Sequence, residues 1–498
     1  MEIETDDLMR FMDRYSLGRD RGLGSHQFLR IKVPAGTLTS EQLRAIAQMS
    51  DDYGRGYTEI TDRQDIQLHW IEGEHAPKAF ARMEKLGFTT DKCGQAFPGA
   101  RYGDVRNIVV CPVAGVDRDE LIDVRPLAKK MNDFFIGNRD FLDMPKKFKI
   151  SITGCDIRCT KPEVQDIGLF AVEHEGEVGF AALIGGGVGA TQPGPRLAEP
   201  LGAFIKPSDV FDVTRAMAEI HRDHGNRESK AKARFKYLVA NWGVQQVREK
   251  LEEKLGRKLE PLEVRPRISG EEHSGIQEQK DGNYFITIPL IGGILSSERM
   301  RRVSDIVDEF GSGEVRNTTF QNMILVNIPQ DGLEDALKQL GDIDLPVRGP
   351  PLRWTAIGCA ADFCGKAAEP YPKQMARGIV EHLERRFGTA LDDLKLRLYV
   401  SGCPNDCCLR TTGDIGLMGI PVSASEAREL YHIYLGGRLG EKAQLSKLVA
   451  KKVDPEHVRD VIERLVDYCL KEGFADFAEF CASHSAEELG SMVQLEVK

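Results

Sequence analysis

The feature that most constrains this chain is that it is written twice. Gly36-Thr-Leu-Thr-Ser-Glu41 leads on to Tyr53-Gly-Arg-Gly56, and Gly293-Ile-Leu-Ser-Ser-Glu298 leads on to Phe310-Gly-Ser-Gly313, with the same internal spacing at an offset of 257 residues. That offset also sets Thr61 and Gln64 of Thr61-Asp-Arg-Gln-Asp-Ile-Gln-Leu68 on Thr318 and Gln321 of Thr318-Thr-Phe-Gln-Asn-Met-Ile-Leu325. Further along, Ile152-Thr-Gly-Cys155-Asp-Ile-Arg-Cys159 with Asp166-Ile-Gly-Leu169 matches Val400-Ser-Gly-Cys403-Pro-Asn-Asp-Cys407 with Asp414-Ile-Gly-Leu417, now at an offset of 248. The glycine pairs Gly186-Gly187 and Gly436-Gly437 extend the parallel. Two similar halves in one chain predict a pseudo-twofold axis and a site at their junction.

Each half reads as a strand (28–33; 284–289), a helix (40–53; 297–310) and a second strand (58–71; 315–328). Leu43, Ile46 and Ala47 fall on one face of the first helix, and Met300, Val303, Ile306 and Val307 on one face of its counterpart. Strands alternating with amphipathic helices predict an α+β fold. A stretch rich in Pro, Glu, Gly and Ser over 260–282 reads as the linker between the halves, and 426–498 reads as helical.

With 498 residues, three or four compact units are expected. Apolar residues at 41% and charged residues at 29% exclude disordered and collagen-like classes. No run reaches 18 uncharged apolar residues, and residues 1–20 carry charges throughout, so neither a membrane span nor a signal peptide is expected and the cytoplasm is the expected location. The net charge of -10 argues against a nucleic-acid binder while leaving room for local basic pockets.

Eleven cysteines are too sparse for a disulfide framework. Four of them form two short-spaced pairs in the second half, Cys359-Ala-Ala-Asp-Phe-Cys364 and Cys403-Pro-Asn-Asp-Cys407. Four such thiolates suit either a tetrahedral zinc ion or a [4Fe-4S] cluster; gaps of four and three, rather than the two of zinc knuckles, tilt the reading towards iron and sulfur. The first half keeps Cys111, Cys155 and Cys159 but has no counterpart of Cys364, so a cubane there would lack a ligand. Cys155 and Cys159 are expected to be buried small hydrophobes left by duplication, and Cys93, Cys408, Cys469 and Cys481 to be structural.

The first half instead keeps cations. Arg63 is expected on a strand, pointing away from the core, where the second half has Phe320; Arg106 precedes Cys111 much as Arg353 precedes Cys359. Lys147 and Lys149 flank Phe148, so both side chains point to one face, although Lys395 and Arg397 hold the same places in the second half. Arg227, Lys230 and Arg234, at i, i+3 and i+7 of an expected helix, form a candidate grip for a polycarboxylate. The histidines, His69, His221 and His224 among them, show no metal-ligand pairing, and Gly185-Gly-Gly-Val-Gly189 lacks a nucleotide-binding form.

Taken together, the duplicated halves, Thr61-Asp-Arg-Gln-Asp-Ile-Gln-Leu-His69, Val105-Arg-Asn-Ile-Val109, Met144-Pro-Lys-Lys-Phe-Lys149 and the second-half cysteines resemble the siroheme-containing nitrite and sulfite reductases over about residues 25–440. The resemblance implies ferredoxin-like half-domains at 25–95 and 283–345, a siroheme and anion-binding domain at 96–260, a siroheme and cluster-binding domain at 346–440 and a helical C-terminal extension at 441–498. It implies a three-domain arrangement and a [4Fe-4S] cluster held by Cys359, Cys364, Cys403 and Cys407, with Cys407 bridging to the siroheme iron. It also implies an anion pocket of Arg63, Arg106, Lys147 and Lys149 that serves the six-electron reduction of sulfite to sulfide or of nitrite to ammonia. Plant-type nitrite reductases place Asn where this chain has Lys149, and an extra positive charge suits a dianion, which favours sulfite. Two departures stand out: the first cysteine pair has four intervening residues where the family usually has five, and Lys146 stands where Arg is commoner. The absence of flavin and nicotinamide motifs implies a ferredoxin or a separate flavoprotein as electron donor. The competing readings are an oxygen-using enzyme resembling precorrin-3B synthase and a non-catalytic protein holding zinc.

Overall fold

The computed structural model describes residues 17–19, 26–90, 103–189, 194–360, 371–420 and 430–493. Along the chain, the first repeat contributes β1 (Gln27–Lys32), β2 (Thr37–Thr39), α1 (Ser40–Tyr53), β3 (Tyr57–Ile60) and β4 (Ile66–Ile71). A first larger unit follows with β5 (Val109–Val110), β6 (Ile150–Thr153), β7 (Ile167–His174), β8 (Glu177–Ile184), α2 (Val210–His224) and α3 (Phe235–Leu255). The second repeat contributes β9 (Tyr284–Ile288), β10 (Ile294–Ser296), α4 (Ser297–Phe310), β11 (Glu314–Asn317) and β12 (Met323–Ile328). The second larger unit holds β13 (Ile357–Gly358), α5 (Pro372–Phe387), β14 (Leu398–Ser401), β15 (Ile415–Ile420), β16 (Leu430–Leu435), β17 (Lys447–Val453) and α6 (Pro455–Lys471).

Both repeat helices lie where the sequence pattern puts them because their ends are capped. Thr39 and Gln42 close a reciprocal capping box on α1, and Ser296 accepts from the backbone of Arg299 at the start of α4. The expected single strands over 58–71 and 315–328 are each corrected to two strands joined by a tight turn. Gln64 and Gln321 sit in these turns at the same left-handed φ of 65°.

The repeats are interlocked. β2 of the first pairs with β11 of the second (Leu38 opposite Val315), and β10 of the second pairs with β3 of the first (Leu295 opposite Thr58). Leu43, Ile46 and Ala47 of α1 share one core with Met300, Val303, Ile306 and Val307 of α4. Each fully buried Leu, Ile, Val or Met side chain of this core contributes about 1.5–3 kcal/mol. Ion pairs repeat across the pseudo-axis, Arg44 to Asp308 at 2.6 Å and Arg301 to Asp51.

The larger units copy each other as well. β5, β6 and β7 run parallel with β8 returning antiparallel, and β13, β14 and β15 run parallel with β16 returning antiparallel. The equivalent glycines prove to be Gly185-Gly186 and Gly436-Gly437, one residue from the sequence match: Gly185 and Gly436 bond to the Asp166 and Asp414 carbonyls, respectively. The stretch 426–498, expected to be helical, includes β16 and β17, which pair antiparallel before α6 begins. Within 260–282, the expected linker, Gly275–Glu278 forms an edge strand on β9. Among the described residues, no helix is long and apolar enough to cross a membrane.

A buried ion cluster joins the first repeat to the second larger unit. The Glu59 carboxylate on β3 lies 3.2 Å from His69 Nε2 and 3.3 Å from Lys373 Nζ at the start of α5. Burial alone would raise its pKa, but Lys373 and then His69 overcome that and hold it at about 2, against an ordinary 4.5. A carboxylate held low contributes stability that is fully present above its ordinary pKa and is lost as pH falls towards 2. Glu59→Gln, which leaves Lys373 buried without its charge partner, is expected to cost about 3–5 kcal/mol in chemical denaturation at neutral pH. The deficit should shrink below pH 4.

Candidate functional site

The turn of each repeat fixes the strand that leads into the first cysteine of its half. Gln64 accepts from the Val110 amide and donates to the Val110 carbonyl, both at 2.9 Å, immediately before Cys111. Gln321 makes the same two bonds with Gly358, both at 3.0 Å, immediately before Cys359. One primary amide satisfying both backbone groups of a buried residue sets that strand's height and rotation. The left-handed backbone at each glutamine aims the amide there.

In the second half, Cys359 leaves β13, and Cys403 and Cys407 occupy the loop after β14. The Gly402 amide donates to Cys359 Sγ at 3.2 Å, and Cys359 interacts electrostatically with Cys403 and Cys407. Cys408, expected to be structural, brings its thiol within hydrogen-bonding reach of Cys359. Asp406 stiffens the loop by accepting from the Arg410 amide at 2.7 Å, Thr411 Oγ1 at 2.8 Å and Ser401 Oγ at 3.1 Å. Cys359 and Cys403 are buried, whereas Cys407 is exposed. Cys364 and Cys93 lie outside the described residues, while Cys469, on the buried face of α6, and Cys481 pack in one core.

Facing Cys407 is a cluster of cations from the first half. Lys147 is pushed down to about 7, chiefly by burial and then by Lys149, Arg234 and Arg106, with Cys407 opposing. Lys149 is also lowered, by burial first, with Asp62 opposing and Arg63 and Arg234 reinforcing. Arg106 is buried, its Nε 3.0 Å from Asp104 and its amide bonded to the Phe148 carbonyl at 2.9 Å. Arg63 belongs to the turn between β3 and β4, a correction of the expected strand position, and its guanidinium lies 3.6 Å from Asp65 and 4.0 Å from Asp62.

The two halves differ at equivalent positions. Lys149 and Arg397 each donate a backbone amide to an aspartate, Asp166 at 2.8 Å and Asp414 at 2.7 Å. Arg397 then turns its side chain back onto Asp414 at 2.7 Å. In the first half Arg234 takes that place on Asp166, at 2.9 Å, while Lys149 has Asp62 and Arg63 as charge neighbours. No regular helix carries Arg227, Lys230 and Arg234, which corrects the i, i+3, i+7 reading: α2 ends at His224 before Gly225-Asn226, and α3 begins at Phe235. Lys230 and Arg234 remain charge neighbours of Lys146, whereas exposed Arg227 bonds Asp143 at 3.1 Å.

The Gly185–Gly189 loop is held by Lys236, whose ammonium donates to the Gly187 carbonyl at 2.9 Å and the Gly189 carbonyl at 3.1 Å. His221 stacks on Phe148 and is lowered to about 4 by burial, so it packs as a neutral ring. The sequence spacing pairs no histidine with a thiol, yet His273 Nε2 lies 3.4 Å from Cys111 Sγ. A lone histidine in an apparent linker gives no sequence signal of a partner 162 residues away.

Comparison with known proteins agrees with this layout. The family model described as the nitrite and sulphite reductase 4Fe-4S domain matches residues 102–259 and 363–476, and that of the nitrite/sulfite reductase ferredoxin-like half domain matches 21–86 and 276–343. The chain is 32% identical to an assimilatory ferredoxin-dependent nitrite reductase of Haloferax mediterranei, over 90% of this chain and 80% of that protein. It is also 32% identical to sulfite reductase [ferredoxin] 2 of Mycolicibacterium paratuberculosis, over 90% of this chain and 81% of that protein. The solved structure of the Mycobacterium tuberculosis NirA protein superposes with a TM-score of 0.84 at 28% identity, covering 98% of this chain and 92% of the other.

Proposed function

Given that the chain belongs to the nitrite and sulphite reductase family, and is an oxidoreductase whose cofactors are siroheme and a [4Fe-4S] cluster, we propose that it reduces sulfite to sulfide with electrons from a ferredoxin. The observation that carries this reading is the pair of half-buried lysines, Lys147 and Lys149, each lowered by burial and then by neighbouring positive charge that an anion would offset. Two bound negative charges offset it more fully than one. The ferredoxin is supported by the names of the Haloferax and mycobacterial relatives.

The residues present fit both cofactors. An amide donating to Cys359 Sγ is the kind of hydrogen bond that tunes an iron-sulfur centre, and the exposed Cys407 leaves one thiol open to a second group. Cys359, Cys403 and Cys407, with Cys364, would hold the cluster, and Lys230 and Arg234, the charge neighbours of Lys146, would receive the carboxylates of the tetrapyrrole. When bound, the coupled cofactors supply the iron and the single electrons for a reduction that consumes six of them.

The chain's own share is binding, orientation and proton supply. Arg63 and Arg106, anchored by their aspartates, would fix the anion's position. Lys147 Nζ, held at about 7, can give a proton as each oxygen departs and regain one from solvent near neutral pH. Lys149 would supply the charge that favours a dianion. Lys149→Asn should lower the sulfite rate about tenfold or more with reduced methyl viologen as donor while raising the nitrite-to-sulfite ratio. An unchanged sulfite rate, or wild-type turnover of nitrite that exceeds that of sulfite, would reject the substrate assignment.

A further inference from the structure

Cys155 and Cys159, expected to be remnants of the duplication, are gathered with Cys111 around a histidine. Cys111 follows β5, Cys155 and Cys159 follow β6, and His273 comes from the connection between the halves. All four are buried, with exposures of 3%, 1%, 1% and 5%, and their ligand atoms lie within 4.8 Å of one another. Cys155 Sγ and Cys159 Sγ are 3.9 Å apart, and Cys111 Sγ and His273 Nε2 are 3.4 Å apart. One tetrahedral zinc ion with ordinary bond lengths would set sulfur to sulfur at about 3.8 Å and sulfur to nitrogen at about 3.6 Å.

The equivalent second-half trio, Cys359, Cys403 and Cys407, forms no such group among the described residues. A cubane's ligands bind four different irons and stand farther apart than the donors of a single ion. The first-half donors are also held in place by their surroundings. Thr153 Oγ1 lies 3.0 Å from Cys155 Sγ and accepts from the Cys155 amide. The His273 amide donates to Glu272 at 3.0 Å, and its carbonyl accepts from Thr287. Glu272 is in turn bound by Thr318 and Asn322.

We propose that Cys111, Cys155, Cys159 and His273 bind one zinc ion in a closed four-coordinate site that staples the connection between the halves onto the first larger unit. Four protein donors leave no open position, so the ion is structural. The duplication thus yields two metal sites from the same three cysteine positions, distinguished by the fourth donor.

Elemental analysis of the holoenzyme, grown with zinc and carrying full siroheme and cluster absorption, should find about one zinc per chain, with an X-ray absorption edge showing three sulfurs and one nitrogen. His273→Ala and Cys155→Ser should each lower zinc at least about tenfold while the siroheme and cluster bands persist in the folded fraction. His273→Cys should retain zinc with a four-sulfur shell, which keeps the test decisive if the other variants fold poorly. A holoenzyme without zinc, zinc retained by both His273→Ala and Cys155→Ser, or additional iron in place of zinc would overturn the assignment. Loss of the siroheme and cluster bands on Cys407→Ser, with zinc retained, reports on the other site separately.

Discussion

Replacing Cys407 with serine is expected to abolish turnover and strip the chain of about four irons, because a hydroxyl is a poor substitute for a thiolate on iron. Cys407 is the exposed thiol of its loop and the one whose charge reaches Lys147 of the opposite half. Iron content, cluster absorption and the siroheme bands of the purified variant check this. Cys159→Ser, at the equivalent place in the first half, should keep the cluster and the siroheme bands. Loss of iron from Cys159→Ser with iron kept by Cys407→Ser would mean that the halves have been assigned the wrong way round, and equal loss from both would reject a division of labour between them.

The second large effect concerns Lys147. Lys147→Met should lower kcat/KM for sulfite by about 10²–10³, the range seen when one preorganised donor to a developing charge is removed. Because Lys147 is held at about 7, it carries its proton below that pH and loses it above. The KM for sulfite should therefore rise as pH increases through 7 in the wild type. Lys147→Arg, which stays charged, should flatten that rise. An alkaline rise in KM that survives in Lys147→Arg would assign the titration to another group.

Much of this architecture was legible in the sequence because the duplication repeats local signals. α1 and α4 begin and end where the capping residues and apolar spacing place them, and the equivalence of Cys111, Cys155 and Cys159 with Cys359, Cys403 and Cys407 follows from spacing alone. What escaped was set by distant partners. The turn at Gln64 looked like the middle of a strand because its left-handed backbone is stabilised by a bond to Val110, 46 residues on. Arg227, Lys230 and Arg234 looked helical because their spacing is periodic, yet Gly225-Asn226 lets the chain leave the helix there. Three thiols looked one ligand short because the fourth donor is an imidazole from the connecting segment rather than a cysteine from the repeat.

The division of labour proposed between the halves has one copy of the repeated unit carrying the iron while the other presents cations to the anion. Anomalous diffraction from holoenzyme crystals at the iron edge tests it most directly. Iron peaks are expected at the cluster beside Cys359, Cys403 and Cys407 and at the tetrapyrrole between Cys407 and Lys147. Iron peaks among Cys111, Cys155 and Cys159, with none beside Cys407, would contradict it.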